Sequence, residues 1–311
     1  MTPVLQKKPT PRDHSRLLAY GGLLVANIAW GAGSSVSKAT MAVFPPMLLS
    51  ALQICIASLV LLVIRWRGNY PAILPQDRLP MAGLSVVMNI GGFIFGYVGI
   101  ALSYASDISL LVVGEVIFTA FLARWLLKEH IDRMRWASIT LGAVGATILI
   151  AGSIGVNTAQ APNRLLGDVL FLLDLLCCAY YTVRGGVFLQ RNDTISLMTY
   201  VNVVSMLFWV PVLAWYVWSG QFPVVTTPAL LGLLYQAVVT SVVCIFLSFY
   251  AVTVVGATAT TVVMFVQPLV GALIGVLVLG EAVTPSRVVG AIGIFASIAV
   301  SMYASSRKVR R

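Results

Sequence analysis

Four side chains able to bind or exchange charge lie inside long apolar stretches: Glu115 in SDISLLVVGEVIFTAFLARWLLKEH (106–130), Asp174 in FLLDLLCC (171–178), Asn27 in LLVANIAW (23–30) and Gln267 in VQPLVG (266–271). An ionised carboxylate within a bilayer costs about 2.5–3.5 kcal/mol or more unless it is paired, hydrated or protonated. Glu115 and Asp174 are therefore expected to face a wet interior rather than lipid. Two acids at similar depth in one half-buried cavity suit the capture of an ammonium group, or the exchange of a proton with it. Their plain alternative is a hydrogen bond to a neighbouring helix.

Aromatic residues extend the candidate site. Trp30, Tyr97 and Tyr180 offer faces that receive a cation or an apolar side chain. Tyr104 reads instead as an interfacial anchor, and Lys38 and Arg184 as side chains that snorkel to headgroups. Pro268, next to Gln267, removes a backbone N–H inside an apolar run and frees a carbonyl, which suits a hinge beside a cavity. The four cysteines show no ligand spacing and read as small core residues. With only two histidines, His14 in a tail and His130 in a loop, neither a buried Ser–His pair nor a histidine metal site can be built. No phosphate-binding GxxxxGK[ST] loop occurs, so the chain reads as a non-enzyme without a metal or other cofactor.

The elements that must position these groups follow from composition. Of the 311 residues, 59% are hydrophobic and 10% charged, and the mean hydropathy is +0.95. Runs of about 20 apolar residues match the hydrocarbon thickness, and ten are found near 17–38, 45–64, 81–103, 107–127, 135–153, 166–189, 196–218, 228–252, 257–280 and 286–304. The runs are continuous rather than alternating, which points to an all-α integral membrane protein and not a β-barrel. The polar tail 1–16 precedes a run too long for a cleaved signal, so the first helix is expected to stay attached.

Charge sets the expected topology. Of the 20 Lys and Arg residues, all but Lys38, Arg164 and Arg287 fall toward one side. That asymmetry predicts both termini in the cytoplasm of a multi-pass cytoplasmic-membrane protein. The net charge of +10 is thus a topology signal and not the footprint of a nucleic-acid partner.

An internal repeat completes the plan. GYVGIALSYASDISLLVVGEVIFTAFLARWLLKEHID from Gly96 aligns with SFYAVTVVGATATTVVMFVQPLVGALIGVLVLGEAVT from Ser248 at an offset of 152, pairing Glu129 with Glu281 and Glu115 with Gln267. An offset of about 148 brings Asn27 within one residue of Asp174. Two five-helix units, 1–153 and 154–311, are expected; five being odd, they enter the membrane in opposite senses. Secondary transporters use such inverted repeats, with the solute site near the midplane. Gly92 with Gly96, and Gly271 with Gly275, have the four-residue spacing of close helix approach. Glu129 and Glu281 read as caps at membrane surfaces.

At WGAGSSVSK, ALSYASDISLL, AVTVVGATATTVV, LLKEHIDRMRW and LVLGEAVTPSRVVGAIGIFASIAV, the chain resembles the EamA-type ten-helix members of the drug/metabolite transporter superfamily. The resemblance implies two inverted five-helix repeats and a carrier that mostly exports amino acids, related metabolites or xenobiotics. One departure stands out: Pro268 in the ninth helix has no counterpart in the fourth, where Val116 is aligned and Glu115 precedes it. The expectation is an alternating-access exporter of amino acids or similar small molecules, proton-linked, monomeric or homodimeric, with Glu115, Asp174, Asn27, Gln267, Trp30, Tyr180 and Tyr97 at the solute. An importer of a similar solute and a multidrug or organic-cation exporter remain as alternatives. A channel or a receptor fits less well, because the polar groups are sparse and the loops short.

Overall fold

A computed structural model describes residues 13–128, 133–152, 158–159, 161–255 and 266–309. The sequence expectations for the N-terminal tail, for Glu129 and for 257–265 lie outside the described residues. Within them the apolar runs become helices: α1 (Asp13–Thr40), α2 (Pro46–Arg67), α3 (Pro75–Leu102), α4 (Ala105–Leu127), α5 (Arg133–Ala151), α6 (Arg164–Phe188), α7 (Thr194–Trp218), α8 (Thr227–Leu234 through Tyr235–Cys244 to Ile245–Val255), α9 (Val266–Leu277) and α10 (Pro285–Val309). The described residues form no strand. Seven helices, α1–α4 and α6–α8, are long and apolar enough to cross a membrane, while the apolar helices described in α5 and α9 are shorter.

Local signals set the boundaries. Proline occupies the first turn of α2, α3 and α8, where its missing N–H would have no helical partner. Asn163 and Asp193 cap α6 and α7 by accepting hydrogen bonds from Leu166 N and Ser196 N. The exposed side chains are largely Leu, Val, Ile and Phe, and Trp66, Trp125 and Trp218 stand exposed at helix ends. That is the surface of a lipid-facing protein with aromatic edges.

The packing is reciprocal. α1 lies against α8 and α9, and α6 lies against α3 and α4. α2 pairs with α7, and α5 with α10. Exchanging helix n for helix n + 5 therefore maps the arrangement onto itself. Both α3 and α8 widen into π-helix, at Ser85–Gly92 and Tyr235–Cys244. The offset of 152 carries 85–92 onto 237–244, inside the second stretch, so the repeat is visible in backbone geometry. Wide turns expose carbonyls, and here side chains meet them. Trp209 Nε1 donates to Asn89 O at 2.6 Å, and Trp30 Nε1 to Thr240 O at 3.2 Å.

Glycine lets the helices approach. A Cβ on Gly145 of α5 would stand 2.8 Å from Gly290 O and 2.8 Å from Ile294 N of α10, backbone atoms that cannot step aside. Gly145→Ala should accordingly cost about 1–3 kcal/mol by overpacking. Gly186→Ala, at a position with nothing within 4 Å, should be neutral or slightly stabilising. Thermal denaturation of the two variants in detergent checks this; a Gly145→Ala protein melting at or above wild type would contradict the α5–α10 contact.

Candidate functional site

Where the two sets of helices interlock, a cavity of about 180 Å³ opens between α1, α2, α3, α4, α6, α8 and α9. Trp30, Tyr97, Asp174 and Gln267 line it, together with Ser37, Gln53, Gln236 and Thr240 and an apolar set that includes Met88, Phe93, Ile108 and Phe171. Met88 and Thr240 are related by the offset of 152, so each π-helical stretch contributes one of the pair.

Asp174 is held by small residues. A Cβ on Gly96 would lie 2.7 Å from its Oδ2, and one on Gly92 would lie 3.0 Å from its Oδ1. Only glycine at both positions leaves room for the carboxylate against α3. Cys178 Sγ, one turn along α6, lies 3.6 Å from Asp174 Oδ1. The Gly92/Gly96 pair thus accommodates a charged side chain as well as a close helix.

A polar wall bridges the two halves. Tyr97 Oη donates to Gln53 Oε1. Gln53 Nε2 donates to Gln236 O at 3.2 Å and to Ser241 Oγ at 2.8 Å. Gln236 Nε2 donates to Gly33 O at 2.8 Å and to Ser37 Oγ. Thr240 Oγ1 lies 3.1 Å from Gln236 Oε1 and 2.6 Å from Gln236 O.

The other sequence candidates sit elsewhere. Glu115 is half-buried and outside the lining, and its Oε1 accepts from Thr182 Oγ1 at 3.4 Å. Thr182 lies eight residues beyond Asp174 on α6, about 12 Å along the axis. The reason is local: α4 is interrupted at Val112 between Ala105–Leu111 and Val113–Leu127, and Glu115 N bonds to Val112 O at 2.9 Å, three residues back. Val112 lines the cavity while Glu115 meets α6. Asn27 is fully buried, its Nδ2 donating to Leu23 O at 2.8 Å within α1. Tyr180 packs against the apolar clusters around Leu197 and Leu122. Pro268 is buried near the start of the described part of α9. Beside it, Gln267 O approaches α1 so closely that a Cβ on Gly31 would lie 2.6 Å away.

Beyond Ile108, at the start of α4, lies an ionic cluster that the sequence reading did not assemble. Asp107, fully buried, accepts from Arg164 Nε on Oδ2 at 2.6 Å and from Arg287 Nε on Oδ1 at 2.5 Å, with Arg287 Nη2 at 3.3 Å from Oδ2. Tyr104 is buried rather than interfacial, and three cations surround its ring: Arg287 at 4.2 Å, Arg164 at 5.5 Å and Lys38 at 5.9 Å from the centroid. Lys38 does not snorkel; its Nζ donates to Ser103 O, while Ser103 Oγ donates to Asp168. Glu281 is also buried. It caps the start of α4, accepting from Ala105 N at 2.7 Å, Ser106 N at 2.9 Å and Ser106 Oγ at 2.5 Å. A carboxylate there completes the first-turn amides and meets the positive end of the helix dipole. Gly275 makes the space, since a Cβ would stand 3.0 Å from Glu281 Oε2.

The opposite end is fastened more lightly. Asp77 accepts from Arg191 at 2.9 Å and Asn192 at 2.7 Å, and Arg65 donates to Ser196 Oγ at 2.7 Å. The Arg191 side chain is 47% exposed there, whereas Arg164 and Arg287 are 1% and 4% exposed.

Comparison with known proteins agrees with this architecture. The sequence profile of the EamA-like transporter family matches residues 17–151 and again 165–303. The uncharacterized transporter YetK of Bacillus subtilis is 23% identical over 268 residues, 85% of this chain and 80% of the relative. The uncharacterized transporter YdfC of the same organism is 24% identical over 273 residues, covering 85% and 84%. A Salmonella typhimurium protein named "Probable amino-acid metabolite efflux pump" is 26% identical over 141 residues, 45% of each chain. A solved crystal structure superimposes on 96% of this chain and 99% of its own with a TM-score of 0.63 at 16% identity, a likeness of fold alone.

Removing the shared anion of the cluster would strand two buried guanidinium groups. Breaking a buried ion pair costs about 3–5 kcal/mol. Asp107→Asn is therefore expected to lower the melting temperature in detergent far more than Asp77→Asn, whose Arg191 partner reaches solvent. Equal shifts for the two variants would show that the cluster does not hold this end together.

Proposed function

The chain belongs to the EamA-like transporter family, and on that premise we propose that it is a secondary carrier exporting small amine-bearing metabolites, amino acids and their relatives, by alternating access. The single observation that carries this reading is the Asp174 carboxylate, lodged between Gly92 and Gly96 in a cavity at the junction of the two helix sets. A carboxylate in the membrane interior requires a partner, and the ammonium group of a solute, or a proton in exchange for it, supplies one. The name of the Salmonella relative favours amino-acid metabolites.

The division into units 1–153 and 154–311, placed in opposite senses, is part of the proposal, and the two separate family matches and the reciprocal packing support it. So is a cytoplasmic-membrane location with both termini inside, which the charge asymmetry favours. In that orientation the Asp107 cluster lies on the outer side and the Asp77 cluster on the inner. A carrier rocking between states would part the Arg164 and Arg287 contacts to Asp107 to release solute outward, and Gln267-Pro268 against Gly31 would serve as a hinge. Glu115 stands two turns from Asp174 toward the inner end, where a second carboxylate could hand a proton to the cavity.

Uptake of labelled amino acids, amines and nucleosides into inside-out vesicles, with and without a pH gradient, tests the reading. Asp174→Asn should reduce transport at least tenfold while leaving the protein folded in the membrane, and Glu115→Gln should weaken the response to the pH gradient. Wild-type rates in a correctly inserted Asp174→Asn protein would overturn the assignment.

A further inference from the structure

Resting on that reading of Asp174, the hydrogen-bond balance of the cavity narrows the solute further. Each carboxamide has two N–H donors, and both donors of Gln53 and of Gln236 are engaged within the protein. The Tyr97 hydroxyl hydrogen is engaged by Gln53 Oε1. What these side chains still present is acceptor capacity: the lone pairs of Tyr97 Oη, Gln53 Oε1 and Gln236 Oε1. The one carboxylate of the lining, Asp174, is acceptor-only as well when ionised.

No Lys, Arg or His lines the cavity among the described residues. The undescribed stretch 256–265, GATATTVVMF, contains none either. Lys38, next to the lining residue Ser37, directs its ammonium to Ser103 O within the Tyr104 cluster. The amide of Gln267 is neutral. An ionised carboxylate entering this cavity would lose its water and find no cation, only the neutral donors of Gln267 and Ser37, which do not offset the cost of a buried ion. An ammonium or carboxamide N–H would meet partners already in place.

We infer that the solute is a cation without a carboxylate that donates hydrogen bonds from two places, an amine or amino-amide, with its ammonium on Asp174 and its second donor read by Tyr97 and Gln236. Trp30, Phe93 and Phe171 take its apolar or aromatic part. The specificity determinant is a lining with no cation among the described residues and with the Gln53 and Gln236 donors engaged, which leaves a zwitterionic amino acid only neutral donors, the Gln267 amide and the Ser37 hydroxyl, for its carboxylate.

Proteoliposomes holding the full chain test this with three compounds sharing one ring: phenethylamine, phenylalaninamide and phenylalanine. The expected order is phenylalaninamide above phenethylamine, with phenylalanine at least tenfold below the amide in initial rate and in competition. Gln236→Leu should shrink the ratio of phenylalaninamide to phenethylamine toward one, a change in selectivity that a merely structural defect would not produce. If phenylalanine moves within threefold of its amide while Asp174→Asn still abolishes transport, the inference about the solute falls and the carrier site stands. If none of the three is moved or competes, and Asp174→Asn alters nothing, both fall together.

Discussion

A charge inside a low-dielectric slab must be matched where it stands, and the Asp107 carboxylate is where this protein meets that constraint most fully. Its two oxygens gather guanidinium groups from the starts of α6 and α10 at the start of α4. Glu281, from just beyond α9, caps the same helix start, and Lys38 arrives from the end of α1. Five helices are thus tied at one point. Because Asp107, Arg164, Arg287 and Glu281 are all buried, withdrawing any one of them leaves a desolvated charge behind.

The cavity owes its existence to reciprocity. α1 packs against α8 and α9, and α6 against α3 and α4, so neither α1–α5 nor α6–α10 supplies the whole lining. Glycines at these crossings fix the separation: Gly31 against Gln267 on one side, Gly92 and Gly96 against Asp174 on the other. The two π-helical stretches occupy matching places in α3 and α8. Asn89 O of the first accepts from Trp209, and Gln236 O and Thr240 O of the second accept from Gln53 and Trp30, which ties the widened turns to neighbouring helices.

Much of this was legible in the sequence. Continuous apolar runs of spanning length pointed to an all-α membrane protein, and the 152-residue offset marked the internal repeat, although the π-helical stretches at matching places were not foreseen. Trp30, Tyr97, Asp174 and Gln267 could be picked out as polar or aromatic groups in apolar runs, and they do share one cavity. Glu115 could not be separated from them, because the interruption at Val112 has no proline to announce it and Gly114, the one glycine beside it, is equally at home in close helix packing. The ionic cluster left a partial signal. Lys38, Arg164 and Arg287 are the only basic residues expected on their side, and Asp107 lies in the repeat segment at a helix start on that same side. Reading Lys38 as a headgroup contact, and Arg164 and Arg287 as topology signals alone, missed that helix ends converge there, a fact that pairwise packing of α1, α4, α6 and α10 decides and hydropathy does not encode.

The two ends of the chamber are unequal in a way that bears on direction. An exposed ion pair contributes about 0–1 kcal/mol; Asp77 is buried, but its partner Arg191 is half in solvent, so that pair lies between this class and a fully buried one. The buried pairs on Asp107 belong to the class whose disruption costs several times more. In the proposed carrier, parting the Asp107 contacts would therefore cost more than parting those on Asp77, which favours a resting state shut at the Asp107 end. Opening that end then needs a compensating interaction. A cation that satisfies Asp174, bound more tightly in the state that precedes opening, is the kind of group able to shift that balance. In the proposed orientation, which turns the Asp77 end to the cytoplasm, the asymmetry of the two ends would favour loading from within.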